Sequence, residues 1–256
     1  MANGLVMALR VCVVGFGVVG KAQAYLLRRL GHEVFVYDPY VLPDSRLERR
    51  VDLTFICTPE ASVEEALKTL ISEKVQGLYV IKSTTPPGTT KGLMRKYGVH
   101  ICHNPEFLRE AFAFEDVMNP SRVVIGECCN EHGNILAELY GGLGKTIYRT
   151  DPTTSEVIKL VSNSLRAVNI SFWNELAILC ERVGADIRVV AKAADPSRVL
   201  GEWEGGGWGT RFFKKPYGGK CLPKDIKILI RAFRLCNLNP KILEASEEIN
   251  ELMCRA

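Results

Sequence analysis

The chain has 256 residues, of which 47% are hydrophobic and 24% are charged, as is usual for a globular protein with a buried core. The net charge of +4 is spread without a basic block, which gives no case for nucleic-acid binding and weakly favours small anionic ligands. No apolar run approaches the ~20 residues that span a bilayer, so no membrane segment is expected. The nine cysteines lack framework spacing and the N-terminus does not resemble a signal peptide, so we expect reduced thiols and a cytoplasmic location.

The first predicted elements form a dinucleotide-binding unit. Arg10–Val14 is a β-branched run, followed by a glycine-rich turn, a helix through Leu30, and a second strand, Glu33–Tyr37, that ends in Asp38. In a G-x-G-x-x-G turn the first glycine bends the chain, the second admits the pyrophosphate and the third allows close helix–strand packing. The cofactor-binding residues predicted here are Gly15, Phe16, Gly17, Val18, Val19, Gly20 and Asp38. A carboxylate at this position accepts ribose hydroxyls and repels a 2′-phosphate, which favours NAD over NADP.

Strands and helices keep alternating to about residue 150. Strands are predicted at 53–57, 78–81, 99–102, 123–125 and 145–148, and helices at 62–71, 89–97 and 131–140. This order predicts an α/β fold with a doubly wound, Rossmann-like parallel sheet. Thr58-Pro59, Ser83-Thr84 and Asn104-Pro105-Glu106 follow strands, so we expect them at the carboxyl edge of the sheet, facing the cofactor.

Several residues that can bind metal lie near the predicted strands at 99–102 and 123–125. Cys128 and Cys129 are adjacent, and Cys102 lies between His100 and His103. No second ligand pair at a suitable spacing accompanies them, so we predict no metal site.

From Asp151-Pro152 onward the strand pattern stops, and an all-helical domain is predicted. We therefore expect an NAD-binding domain at 1–150 and a helical domain at 151–256. Thr153-x-x-Glu156 predicts a capping box for one long helix that ends at Val183. Its apolar residues occupy more than one face, which predicts a homodimer through this domain. Lys159 and Asn163 lie one turn apart, and spacing alone favours a solvated lysine.

A glycine- and tryptophan-rich segment, 195–220, predicts a functional loop, and two further helices follow. At its end, Gly218 and Gly219 allow a tight turn, and Pro223 suits the first position of the next helix. Cys221 would then lie at a helix N-terminus, which favours a thiolate, with Asp225 on the same face. The residues themselves leave two interpretations open, a catalytic nucleophile and a buried structural cysteine.

The motifs together resemble the UDP-glucose/GDP-mannose 6-dehydrogenase family. The matching segments are 15–20, 82–89, 104–110, 156–163, 174–177 and 217–225, in family order. The resemblance implies an NAD-dependent, four-electron oxidation of a nucleotide-sugar 6-hydroxyl to the uronic acid, through a cysteine thioester. It assigns catalytic roles to Cys221, Lys159, Asn163, Glu106, Asp225 and Thr84.

In this assignment Cys221 is the nucleophile, and Lys159 and Asn163 stabilise the oxyanion at C6. Glu106 exchanges protons, while Asp225 and Thr84 position the hydrolytic water. To Thr58, Ser83 and Thr84, which the strand ends place at the cofactor, the resemblance adds Glu110 and Lys224. It places Glu106, Phe107, Leu108, Lys159, Asn163, Tyr217, Gly218 and Gly219 at the substrate.

Two departures from the family pattern affect the expected partners. The chain resembles a short form without the C-terminal nucleotide-sugar-binding domain, which a separate chain could supply. Its segment between Asp38 and Asp52 is also short. Either Arg198 or Arg211 could be the arginine that reaches the site across a dimer. Two other interpretations remain: a two-electron hydroxyacid dehydrogenase of the 6-phosphogluconate type, and a non-catalytic NAD-binding protein.

Overall fold

The computed structural model describes residues 8–194 and 215–255. Within these ranges the chain forms two compact units that divide between Lys159 and Leu160. The division falls inside the long helix and not at residue 150, where the change in sequence pattern lies. The functional division into two domains stays a prediction.

The first unit contains a seven-stranded sheet with helices between the strands. Its strands are β1 (Arg10–Val14), β2 (Glu33–Tyr37), β3 (Leu53–Ile56), β4 (Leu78–Ile81), β5 (Ile101–His103), β6 (Val123–Gly126) and β7 (Ile147–Thr150). Its helices are α1 (Val18–Arg29), α2 (Val63–Ser72), α3 (Thr89–Tyr97), α4 (Ala113–Met118) and α5 (Asn130–Gly141). The strand order is β2-β1-β3-β4-β5-β6-β7, which confirms the predicted Rossmann-like architecture.

One part of the sheet differs from the all-parallel prediction. Strands β1 to β5 are parallel, but β6 runs antiparallel to β5 and pairs Gly126 with His103, and β7 is parallel to β6. The connection before β6 contains a short 3-10 helix, Glu110–Phe112, and the six-residue α4, which packs on α1 through an edge-to-face contact of Phe114 with Tyr25. Because this connection does not cross the sheet, the chain enters β6 from the edge at which β5 ends.

Both faces of the sheet are covered by apolar side chains, as expected for a doubly wound sheet. Val11 and Val13 of β1 point into one buried cluster, and Cys12 and Val14 point into the other. Burying each large side chain of this kind contributes about 1.5–3 kcal/mol. The alternation of the two clusters along β1 therefore fixes which face of the sheet each side chain of this strand covers.

The second unit is helical, as predicted. It contains most of α6 (Pro152–Val183), then α7 (Ile187–Ala194), α8 (Leu222–Leu235) and α9 (Lys241–Arg255). Its buried cluster joins α6 to α8 through Ala167, Ile170, Ile226 and Ile230. Ser171 also donates to the carbonyl oxygen of Ser246 at 2.7 Å, which connects α6 to α9.

The start of α6 differs from the predicted capping box. Asp151 accepts hydrogen bonds from the Thr153 amide at 3.1 Å and from the Thr154 hydroxyl. Glu156 instead turns away from the helix end to a neighbouring loop. The prediction of a capping box is therefore wrong, because Asp151, directly before the helix, supplies the cap. The predicted end at Val183 is correct, and Gly184 follows with a φ of +72°.

A stripe of exposed apolar side chains follows one side of α6. We call it the α6 stripe, and it consists of Val161, Leu165, Phe172, Leu179 and Val183, which are 44–66% exposed. The spacings of four and seven residues keep these side chains on neighbouring turns of one face. Across 8–194 and 215–255 no helix combines the length and the apolar character needed to cross a membrane.

Candidate active site

The glycine-rich turn has the geometry that the sequence predicts. Gly15 has a φ of +89°, and a Cβ there would lie 2.9 Å from the Cys57 carbonyl carbon. A Cβ on Gly20 would lie 1.9 Å from the Gly15 carbonyl oxygen. No described atom lies within 4 Å of the Cβ position of Gly17, the N-cap of α1. The first and third glycines thus permit close packing, and the second leaves room for a phosphate at a helix N-terminus.

Asp38 closes the turn from the end of β2. Its carboxylate accepts hydrogen bonds from the amides of Phe16 at 2.7 Å and of Tyr40 and Val41 at 3.0 Å. Burial acts to raise the pKa of Asp38, but these three amides outweigh it and the pKa is lowered. The group is therefore held as a carboxylate, the form that accepts a ribose hydroxyl.

Thr58 and Ser83 lie next to the turn, where β3 and β4 end. The Ser83 hydroxyl donates to the Thr58 carbonyl oxygen at 2.6 Å. The buried Thr58 Oγ1 has no hydrogen-bond partner among the described residues. A buried hydroxyl at this edge is available to a ligand, and with the open position over Gly17 it fits a dinucleotide such as NAD.

The segment that contains Thr84 is held from α6 by Glu156, a residue to which the sequence analysis assigned no role at the site. The Glu156 carboxylate accepts from the amides of Gly88 at 2.6 Å and Thr90 at 2.8 Å. It also accepts from the hydroxyls of Thr90 at 2.6 Å and Thr85 at 3.2 Å. Four donors on one buried side chain fix the carboxyl-edge loop to the start of α6.

Lys159 is buried and forms an ion pair, so the solvated lysine that spacing alone favours is wrong. Its Nζ donates to Glu106 Oε1 at 2.9 Å, and the two side chains are 4% and 12% exposed. Glu106 Oε2 accepts from the Leu108 amide at 2.5 Å. Burial acts to raise the pKa of Glu106, but the charge of Lys159 and this amide lower it. Two functional groups that the sequence predicted separately therefore come together as an ammonium and an ionised carboxylate.

A second buried lysine lies near this pair, and no role was predicted for it. Lys82 donates to Asn104 Oδ1 at 2.7 Å and approaches the Tyr140 hydroxyl at 3.4 Å. Burial lowers the pKa of Lys82 to about 8. One partner directly follows β5 and the other lies in α5, which is why no local motif could reveal them.

Phe107 and Leu108 line a cavity together with Glu106, Lys82 and Arg122. The Arg122 guanidinium lies 3.9 Å above the Phe107 ring, and Lys159 Nζ lies 5.4 Å from the same ring. The predicted substrate-binding residues of this segment thus surround a cationic, partly apolar cavity. Glu110 is exposed at the start of a short 3-10 helix, Glu110–Phe112.

In the second unit, Asn163 and Asp225, to which the resemblance assigns separate catalytic roles, are hydrogen-bonded to each other. Asn163 Nδ2 donates to Asp225 Oδ2 at 2.6 Å, and Lys224 Nζ donates to Asp225 Oδ1 at 2.6 Å. Asp225 is 1% exposed, whereas the Lys224 side chain is 44% exposed. Each carboxylate oxygen of this buried side chain therefore has a hydrogen-bond donor.

Cys221 is the N-cap of α8 and is exposed, which contradicts the buried structural cysteine. Its carbonyl oxygen accepts the Asp225 amide at 2.8 Å, so the two residues lie one turn apart. Pro223 occupies the second helical position and not the first, because Leu222 begins the helix. The thiol is therefore accessible at a helix N-terminus, where a thiolate is favoured.

The segment before Cys221 is fixed by two asparagines. Asn174 Nδ2 donates to the Lys215 carbonyl oxygen at 2.7 Å, and the Tyr217 amide donates to Asn250 Oδ1 at 2.7 Å. Tyr217 is buried, while Gly218 and Gly219 are exposed and Gly219 has a φ of +75°. Their exposed backbone suits the predicted substrate contacts. The predicted functional loop through residue 214, with Arg198 and Arg211, lies outside the described residues.

Two family models match this chain. The model described as the NAD binding domain of the UDP-glucose/GDP-mannose dehydrogenase family matches residues 43–143. The model described as its central domain matches residues 153–252. Together they cover both units, and the first supports NAD as the cofactor.

Individual relatives agree with this assignment. The chain is 33% identical over 244 residues to a UDP-glucose 6-dehydrogenase of Rickettsia bellii, covering 88% of this chain and 54% of that protein. It is 37% identical over 202 residues to the UDP-glucose 6-dehydrogenase TuaD of Bacillus subtilis, covering 74% of this chain and 42% of that protein. A UDP-glucose dehydrogenase structure from Pyrobaculum islandicum aligns with a TM-score of 0.84 at 28% identity. The alignment covers 100% of this chain and 71% of that one. The chain thus spans about half the length of these two curated relatives.

Proposed function

Because the chain belongs to the UDP-glucose/GDP-mannose dehydrogenase family, we propose that it oxidises the 6-hydroxyl of a nucleotide sugar to the carboxylate through a cysteine thioester. The observation that supports this most is the exposed Cys221 at the start of α8, one turn from the buried Asp225. A hydroxyacid dehydrogenase needs no nucleophilic thiol, whereas thioester chemistry needs both a thiol and a group that handles water.

NAD, when bound over the glycine-rich turn, accepts a hydride in each of the two oxidations. In the first, the C6 alcohol loses a hydride and a proton and becomes an aldehyde. Cys221 then adds its sulfur to the aldehyde carbon to form a thiohemiacetal, which loses a second hydride and a proton to give a thioester. Water cleaves the C–S bond, releasing the carboxylate and returning the thiol, so four electrons leave the sugar.

The Lys159–Glu106 pair suits the proton and charge changes at C6. The buried ammonium of Lys159 would stabilise an alkoxide or a tetrahedral oxyanion more strongly than it could in water. Glu106 has a lowered pKa, so it starts as a carboxylate and would accept the proton that the alcohol loses. Asn163, one turn after Lys159 on α6, would add an amide donor to the same oxyanion.

In this proposal Asp225 and Thr84 position the water that hydrolyses the thioester. Asp225 is buried and already oriented by Asn163 and Lys224. The carboxyl oxygens of Asp225 would hold an attacking water by accepting its hydrogen bond. Thr84 lies in the loop that Glu156 fixes and would supply a hydroxyl to the same water.

We propose a nucleotide sugar as the substrate, because the relatives of Rickettsia bellii and Bacillus subtilis are named UDP-glucose 6-dehydrogenases. Exposed backbone at Gly218 and Gly219 and the cationic cavity beside Glu106 suit a polar, anionic ligand of this class. We also propose a homodimer formed through the α6 stripe, since its exposed side chains run along one face of the helix.

The test is to count the NADH formed per sugar consumed with purified protein and a panel of UDP- and GDP-sugars. We expect two NADH per sugar, and we expect Cys221→Ser to abolish carboxylate formation while NAD binding persists. Cys236→Ser is the matched control, because Cys236 is also exposed and lies at the other end of α8. One NADH per sugar with full activity in Cys221→Ser would establish two-electron chemistry instead. NAD binding without turnover of any of these sugars would contradict a self-sufficient enzyme.

A further inference from the structure

A second group of reactive side chains lies in the first unit, away from the glycine-rich turn. It consists of His100, Cys128, Cys129 and His132, which we call the Cys–His cluster. One donor atom from each residue lies within 4.8 Å of the donor atoms of the other three. Nothing in the proposed oxidation uses these residues.

The distances within the cluster are those of ligands around one ion. Cys128 Sγ lies 3.1 Å from His132 Nδ1 and 3.7 Å from His100 Nδ1, and Cys129 Sγ lies 3.3 Å from His132 Nδ1. Tetrahedral zinc, with bonds of about 2.3 Å to sulfur and 2.0–2.1 Å to nitrogen, sets these two ligand types roughly 3.5 Å apart. The observed separations bracket this value.

The antiparallel strand β6 builds the cluster. His100 directly precedes β5, so it lies at the amino edge of the parallel strands. Because β6 runs the opposite way, Cys128 and Cys129 follow its end at that same edge. Cys129 is the N-cap of α5, and His132 lies in the first turn of that helix. The cluster and the nucleotide-binding turn therefore lie at opposite edges of one sheet.

We propose that the Cys–His cluster binds one Zn²⁺ ion as a structural site. Two thiolates and two imidazoles form a ligand set that binds zinc. Magnesium and calcium prefer oxygen ligands, so this set selects against them. Four protein ligands fill a tetrahedral shell, so the ion would have no open position for catalysis. It would join the start of β5 to the start of α5, and the exposed His100 gives it a route from solvent.

Cys102 adds a neighbour to this site. Its thiol is buried and donates to Cys128 Sγ at 3.7 Å. A thiol donor to a metal-bound thiolate orients the ligand and spreads its charge, as outer partners of metal ligands do. The competing possibility is a disulfide between Cys102 and Cys128, and it excludes zinc because it consumes a ligand.

The first experiment measures metal in the full chain, purified without chelators and passed through a desalting column. We expect one zinc per chain by elemental analysis. After replacement by Co²⁺, we expect the intense visible bands of a tetrahedral thiolate site. Zinc no higher than in the buffer, with no such bands after cobalt addition, would overturn the proposal. So would a Cys102–Cys128 disulfide found by mass spectrometry in freshly purified protein.

Variants then identify the ligands. Cys128→Ser and His132→Ala should each weaken zinc binding by at least about 100-fold, beyond the loss typical of outer-shell partners. Cys236→Ser should keep one zinc per chain, whereas Cys102→Ala, which removes only an outer partner, should weaken zinc binding by less than the ligand variants do. Retained NAD binding shows that a variant is folded, since the nucleotide turn lies at the other edge of the sheet. Full zinc content in folded Cys128→Ser, or its loss in folded Cys236→Ser, would refute this set of four ligands.

Discussion

His103 shows how a single buried residue joins the sheet to α6. Its Nδ1 accepts from the Ser155 hydroxyl at 2.8 Å, and its Nε2 donates to the Ser83 carbonyl oxygen at 3.3 Å. Burial lowers the pKa of His103 to about 3, so the ring is neutral. The same residue thus supports Ser83, a predicted cofactor contact, and the first turn of α6.

This low pKa predicts acid sensitivity with a defined sign. Below pH 6.5 the unfolded chain binds a proton at His103 that the folded chain does not bind until about pH 3. The free energy of unfolding should therefore fall as pH decreases, by roughly 2 kcal/mol between neutral pH and pH 5. We expect His103→Gln to lack this contribution, as measured by urea unfolding of both proteins across that range. Stability curves that stay parallel would contradict the prediction.

The placement of α6 depends on one glycine of β6. A Cβ on Gly126 would lie 2.7 Å from the Ser155 Cβ and 2.8 Å from the Pro152 Cα, both in the first turn of α6. The helix therefore approaches the strand more closely than any side chain at this position allows. This contact and the Glu156 hydrogen bonds hold the start of the helix on the first unit.

Gly126→Ala should consequently destabilise the protein by about 1–3 kcal/mol, because the strand and the helix start must move apart. Gly92→Ala is the matched control, since Gly92 lies within α3 and its Cβ position has no described atom within 4 Å. The control should be neutral or stabilising by up to about 1 kcal/mol, because alanine is the better helix former. Both values come from denaturant unfolding. Equal effects of the two substitutions would show that the close contact carries no cost.

At the scale of the whole molecule, the α6 stripe bears on assembly. Leu165 and Phe172 are 56% and 51% exposed on the same side of a 32-residue helix. Exposed apolar side chains in a continuous row are typical of a surface that binds another protein. A second copy of this chain presents the same row, and a symmetric pair would bury both rows together.

We therefore expect sedimentation equilibrium to give twice the 28.5-kDa mass of one chain. Leu165→Glu and Phe172→Glu should each shift the protein toward the single-chain mass, because a buried unpaired charge opposes the contact. Glu181→Lys changes an exposed residue on the opposite side of the same helix and should leave the mass unchanged. A single-chain mass for the unmodified protein at high concentration would refute the dimer.

Features that depend on neighbouring residues could be predicted from the sequence, whereas contacts between distant residues could not. The cofactor turn, the alternating elements, the end of α6 and the position of Cys221 were correctly predicted. Each depends on residues close together in the chain, where glycine conformations, caps and periodicity act directly. The capping box was wrong because two acidic residues near one helix start competed, and only Asp151 reached the helix end.

By itself, then, the sequence determined an NAD-binding Rossmann-like unit, a helical unit, and a cysteine at a helix N-terminus. The tertiary structure alone decided that Lys159 is buried against Glu106, 53 residues earlier, instead of solvated. It also decided that β6 is antiparallel, and so that His100 meets Cys128, Cys129 and His132. The physical reason is that strand direction and long-range pairing depend on how the whole connection packs, here α4 on α1, and no local pattern encodes that.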